Sequence, residues 1–82
     1  MSHNLNGVPL EELSVEELIY LLPSIDKNGN HYALHKLTNK NYNCTKQHAG
    51  IILFSIIRTS LKQVLIEMLL EIRKNNEENK NA

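Results

Sequence analysis

Four side chains able to ligate a metal, His31, His35, Cys44 and His48, fall in the pattern H-x3-H-x8-C-x3-H. Both histidine-bearing pairs are spaced i, i+4, which on helices would put two donors on one face, as zinc requires. The donor types suit tetrahedral zinc, but the spacing matches no zinc-finger class. The reading adopted is three surface or half-buried histidines and an incidental cysteine, with no metal site and no cofactor. Cys44 with His48 one turn on also has the form of an activated thiol at a helix start. No orienting carboxylate or oxyanion arrangement accompanies the pair, so no catalytic residue is assigned and the chain is not read as an enzyme. "DKNGN" begins like a calcium loop, with Asp26, Asn28 and Asn30 at positions 1, 3 and 5. Position 6 is His31 instead of glycine and position 12 is Leu37 instead of glutamate, so the bidentate ligand is missing and calcium is rejected.

The elements that would hold these residues must come from a chain of 82 residues, 41% of them apolar. That is one small domain, near the lower limit for folding unaided. The single cysteine excludes an internal disulfide framework and fits a reducing compartment. The N-terminus "MSHNLNGVPLEEL" has no basic segment followed by an apolar run, which argues against a signal peptide. Cytoplasmic is the expected location. Formal net charge is zero but unevenly spread. Residues 1–26 carry five acids and no base, and residues 27–62 carry six bases and no acid. Such a dipolar chain favours contact between its own segments or between two copies of itself.

Three organisational units are expected: an N-terminal arm at 1–13 with a helical turn, a single helical domain at 14–75, and a disordered polar tail at 76–82. "LSVEELIYLLPS" carries an S-x-x-E capping box at Ser14 and Glu17, with Val15, Leu18, Ile19 and Leu22 on one helical face. Pro23 ends that helix. Asn28-Gly29 marks a turn. A hairpin there is one reading; a loop followed by a short helix from His31 to about Thr38 is preferred. From Thr45 to about Lys74 the pattern reads as helical. Ser60 and Gln63 form a second capping-box pattern, so a break near Thr59-Ser60 stays open.

The stretch "GIILFSIIRTSLKQVLIEMLLEI" (50–72) is the most apolar part of the chain. Its longest uncharged run, Ala49 to Ile57, falls far short of the roughly 20 residues a membrane span needs. Arg58, Lys62, Glu67 and Glu71 would lie within the bilayer, so no membrane span is expected. A continuous helix over 46–72 would be about 40 Å long. Two short helices cannot cover both apolar faces of such a rod. The stripe Phe54, Ile57, Leu61, Val64, Leu65, Met68 and Ile72 is therefore assigned to self-association or core packing. Charged residues at Leu61 and Met68 should then abolish oligomers.

A short, Asn- and Lys-rich chain beginning "MSHNLNG" and centred on an amphipathic segment that cannot span a membrane resembles the small cytoplasmic lysis-inhibition accessory proteins of T-even phages. The resemblance covers the full length and general character, and no functional residue carries over from it. It implies an antiholin in the host cytoplasm that binds the cytoplasmic segment of the holin and delays lysis. The second reading is a small helix-turn-helix-like DNA-binding regulator using Lys27, Lys36, Lys40 and Lys46 with Tyr32 and Tyr42. Zero net charge and the lack of arginine in that stretch weigh against it. The fold class expected is all-α: a small bundle of three or four helices with a long C-terminal helix, oligomeric, acting by protein–protein contact.

Overall fold

A computed structural model describes residues 8–81 of the chain, with side chains to residue 74. The first element is a single 3-10 turn, Leu10–Glu12, followed by helix α1, Val15–Leu21. The capping box of α1 forms in both halves. The Glu17 backbone N–H donates to Ser14 Oγ at 3.1 Å, and the Ser14 N–H donates to Glu17 Oε1 at 2.8 Å. These bonds satisfy two of the donors that a helix start otherwise leaves open. Of the arm expected at 1–13, residues 1–7 lie outside the described residues.

Three strands then follow: β1, His31–Lys36; β2, Tyr42–His48; and β3, Ile51–Arg58. They form one antiparallel sheet in the order β1-β2-β3. Helix α2, Leu61–Asn81, closes the chain. The all-α expectation is thus corrected to α+β: the short helix placed at 31–38 is a strand, and residues 45–58 are a hairpin. The polar tail expected at 76–82 has its backbone described to Asn81, within α2, and its side chains lie outside the described residues.

The hairpin wins for identifiable reasons. Ala49 and Gly50 both have positive φ, 53° and 81°, which is the two-residue turn whose twist matches a right-handed β-ribbon. Helix cannot run through two such residues. The L-residue Ala49 bears about 1–2 kcal/mol of strain in that region, and Gly50 bears none. The isoleucines at 51, 52, 56 and 57 are stiff at χ1 and sit better on a pleated surface than in a helix. One bulge, at Leu53 of β3 opposite the Lys46–Gln47 step of β2, shifts the β2–β3 register so that Gln47 faces Ile52 and Lys46 faces Phe54. The break at Thr59-Ser60 is real, but it separates a strand from a helix. There the Gln63 N–H donates to Ser60 Oγ at 3.2 Å, which caps the start of α2.

Two layers result. α2 packs across β2 and β3, and α1 packs on α2. Between them lie Leu10, Leu13, Leu18, Tyr32, Cys44, Ile56, Val64, Leu65, Ile66, Met68 and Leu69, all buried. Pairing places Leu34, Cys44 and Ile56 in one row across the sheet, on the side facing the helices. The neighbouring row, Ala33, Thr45 and Ser55, lies on the opposite side, because successive strand residues alternate faces. No helix covers that side, and it is largely polar. Asn43 Nδ2 donates to Ser55 Oγ at 2.9 Å and to the Ile56 carbonyl at 3.0 Å, and Gln47 Nε2 donates to Thr45 Oγ1 at 3.1 Å. Among the described residues no helix is long and apolar enough to cross a membrane.

Candidate protein-interaction surface

The four metal-capable side chains do not converge. Cys44 is fully buried under α2, whereas His31, His35 and His48 are exposed on the strands. Among the described residues no group of three or more His, Cys, Asp or Glu side chains comes together to hold a metal. Burial pushes the Cys44 thiol up to about 11, so at neutral pH it is a protonated core residue and not a nucleophile. Labelling by a thiol reagent should therefore be blocked in the native chain and should track unfolding in urea. Fast labelling without denaturant would mean that Cys44 is accessible.

The calcium-like loop is closed by its own groups. Asp26 Oδ1 accepts from the backbone N–H groups of Asn28 and Asn30 at 2.8 and 3.0 Å. Its Oδ2 accepts from Asn30 Nδ2 at 3.1 Å and from the Tyr32 hydroxyl at 2.8 Å. Each carboxylate oxygen is thus occupied twice, which fills its ordinary acceptor capacity. The loop ties to β1 through an Ile25–His31 bridge and a bond from the Tyr32 N–H to the Ser24 carbonyl at 3.1 Å. Residues 24 and 25 therefore cover the start of the free edge of β1.

The helix–loop–helix needed by the DNA-binding reading is absent over 27–48, where β1 and β2 stand. Lys36 ends β1, Lys46 lies within β2, and Lys27 and Lys40 sit in the loops before β1 and between β1 and β2.

The apolar stripe assigned from sequence divides. Val64, Leu65 and Met68 have no exposed surface and pack in the core; Phe54, Leu61 and Ile72 are half-buried against it. Ile57 stands apart, half-exposed on β3. With it on the same strand, Ile51, Ile52 and Leu53 are each more than half exposed. Sequence spacing placed Ile57 with the core residues; the strand instead buries Ile56 and turns Ile57 to the other side.

β3 is also an edge. No described residue pairs with its outer side, and β2 occupies the inner side. It is longer than a typical strand and carries no charge from Ile51 to Ile57. Proteins ordinarily blunt such an edge with lysine, proline, an inward-pointing charge or a bulge, and between those residues only the bulge at Leu53 is present. The first charge is Arg58, held by Glu67 through Nη2–Oε1 at 2.7 Å and Nε–Oε2 at 3.0 Å. Gln63 Nε2 also donates to Glu67 at 2.7 Å, and the bonds from Gln63 and Arg58 hold the Glu67 carboxyl below its ordinary range. No family model, curated protein or solved structure matches the chain.

Proposed function

We propose that this chain is a small regulatory protein that acts by protein–protein contact, and that the outer edge of β3 makes the contact. One observation carries the reading: a strand free of charge from Ile51 to Ile57 at the open edge of the sheet, bearing four aliphatic side chains at least half exposed. Such an edge offers unpaired backbone donors and acceptors together with apolar side chains, the two things strand addition uses for affinity and selectivity. The specific form of this function is lysis inhibition, supported by the resemblance to the phage accessory proteins, with the cytoplasmic segment of a holin as partner.

The test is a fluorescence-anisotropy titration of a labelled holin cytoplasmic segment with the wild-type chain and with an Ile52→Lys, Ile57→Lys double variant. Saturable binding by the wild type, weakened at least tenfold in the variant, is expected. Equal binding by both would remove β3 as the contact. No binding by the wild type would remove the holin as partner.

A further inference from the structure

We infer that Asn28 is a site of spontaneous deamidation, that the closed Asp26 loop holds the reaction back, and that the isoaspartate product releases residues 24 and 25 from β1. The inference is independent of the β3 edge.

Deamidation begins when the backbone nitrogen that follows an asparagine attacks the side-chain carbonyl carbon. Here Gly29 N would bond to Asn28 Cγ and give up its proton, while Asn28 Nδ2 gains a proton and leaves as ammonia. Solvent water then opens the succinimide that remains. Attack at the side-chain carbonyl gives aspartate; attack at the main-chain carbonyl gives isoaspartate, whose backbone is one carbon longer. No oxidant or reductant takes part.

Residue type and exposure select Asn28. Asparagine is among the thermolabile residues, and a following glycine has no Cβ to hinder the attack. Among the described residues, Asn28 is the one asparagine that precedes glycine. It is exposed, its backbone N–H donates to Asp26 Oδ1, and no described residue bonds its side chain. The side-chain amides of Asn30 and Asn43, by contrast, are held by Asp26 and by Ser55 with the Ile56 carbonyl.

The loop sets the rate. The Gly29 N–H donates to the Asp26 carbonyl at 3.0 Å, so the attacking nitrogen is committed to a group other than Asn28. The Asp26 N–H closes the same turn on the Asn30 carbonyl at 2.9 Å. Asp26 Oδ1 pins both flanks of Gly29 by accepting from the Asn28 and Asn30 N–H groups. Attack therefore waits for the loop to open, a local event that costs less than unfolding the chain. Asp26 is the positioning residue, and removing its carboxylate raises the open fraction.

The product cannot keep this turn. An extra backbone carbon shifts Gly29 away from the Asp26 carbonyl. The turn already rests on β2, since a Cβ at Gly29 would lie 3.4 Å from His48 Cε1. The displacement passes to the links with β1, the Ile25–His31 bridge and the bond from the Tyr32 N–H to the Ser24 carbonyl.

Peptide mapping by mass spectrometry, on the full chain held at neutral pH and body temperature, tests this. Deamidation appears as a gain of one mass unit at Asn28. It should run at least tenfold faster in guanidinium chloride than in the native chain. Asn6-Gly7 carries the same dipeptide and reports the intrinsic rate in the denaturant. No reaction at Asn28 there, while Asn6 reacts, overturns the site; equal native and denatured rates at Asn28 overturn the gate. In the native state Asp26→Ala should speed the reaction at least tenfold. Ser14→Ala, which weakens the fold at the α1 cap and leaves the loop alone, should not. An unchanged rate in Asp26→Ala, or equal acceleration in both variants, overturns the role of Asp26. In the purified isoaspartate form the Tyr32 amide should exchange with deuterium at least tenfold faster than in the unmodified chain; unchanged exchange overturns the release.

Discussion

Met68→Lys should unfold the chain, whereas Ile57→Lys should leave its fold intact, although sequence spacing places both residues on one stripe. Met68 has no exposed surface and sits among Leu18, Val64 and Leu65, which are equally buried. A lysine there loses the burial of the methionine side chain, about 2–3 kcal/mol. It must also hold an ammonium group in an apolar interior or give up its proton, at a further cost of several kcal/mol. At roughly 0.05–0.15 kcal/mol per residue, a domain of this size has about 4–12 kcal/mol of total stability. The substitution removes most or all of it. Ile57 lies half in water on the side of the sheet without helices, so its replacement should change stability by less than about 1 kcal/mol. Urea titrations followed by circular dichroism separate the two: no native baseline for Met68→Lys, and a near wild-type midpoint for Ile57→Lys. A cooperative transition at the wild-type midpoint for Met68→Lys would remove Met68 from the core. Loss of oligomers on charging Met68 would accordingly report loss of fold and not the opening of an interface.

The helical parts were legible because their signals are local. Ser14, Glu17 and Pro23 bound α1 through chemistry that acts within a few residues, and Ser60 marks the start of α2 in the same way. The sheet was not legible because its decisive signals were outweighed by a dense apolar run. In "IILFSIIRTSLKQVLIEM" almost any period can be threaded, and the 3–4 spacing from Phe54 to Met68 runs straight across the strand–helix boundary. Two features point the other way. Ala49-Gly50 lies between two strand-length segments, and an alanine before glycine is a weaker hairpin signal than asparagine or aspartate would be. In "HYALHK" Tyr32 and Leu34 alternate with exposed His31 and His35, a period of two that a run of only six residues states faintly. The candidate surface followed the same pattern. Exposure of Ile51, Ile52 and Leu53 depends on β3 being the last strand of the sheet, which is a fact of topology and not of spacing.

Asp26→Asn should lower stability at neutral pH by about 1–2 kcal/mol and remove part of the chain's acid sensitivity. Burial alone would raise the Asp26 carboxyl. The bonds from the Asn30 backbone, the Tyr32 hydroxyl, the Asn30 side chain and the Asn28 backbone outweigh it and hold the group down at about 2, against an ordinary value of 3.8. A carboxyl depressed in the folded state stabilises the fold above its unfolded pKa, and that stability is lost as pH falls through the folded value. The window is therefore about pH 4 down to pH 2. The full shift corresponds to roughly 2.5 kcal/mol, which partial exposure to water reduces to about 1–2. Tyr32 gives the opposite arm. Burial first, and then its bond to Asp26, raise the phenol above its ordinary 10.0, with weaker pushes from Glu71 and Cys44. A raised phenol stabilises the fold below pH 10, and this is lost as pH climbs beyond it. Urea midpoints of wild type and Asp26→Asn should thus differ most near pH 7 and converge by about pH 2. Glu67, whose carboxyl is also depressed, is common to both chains and cancels in the difference. Tyr32→Phe should remove the phenol's share of the alkaline arm, leaving that of the buried Cys44 thiol, while keeping much of the acid one, because the two asparagines still donate to Asp26. A wild-type-to-variant gap that stays constant from pH 5 to pH 2 would show that the Asp26 charge does not hold the loop against β1.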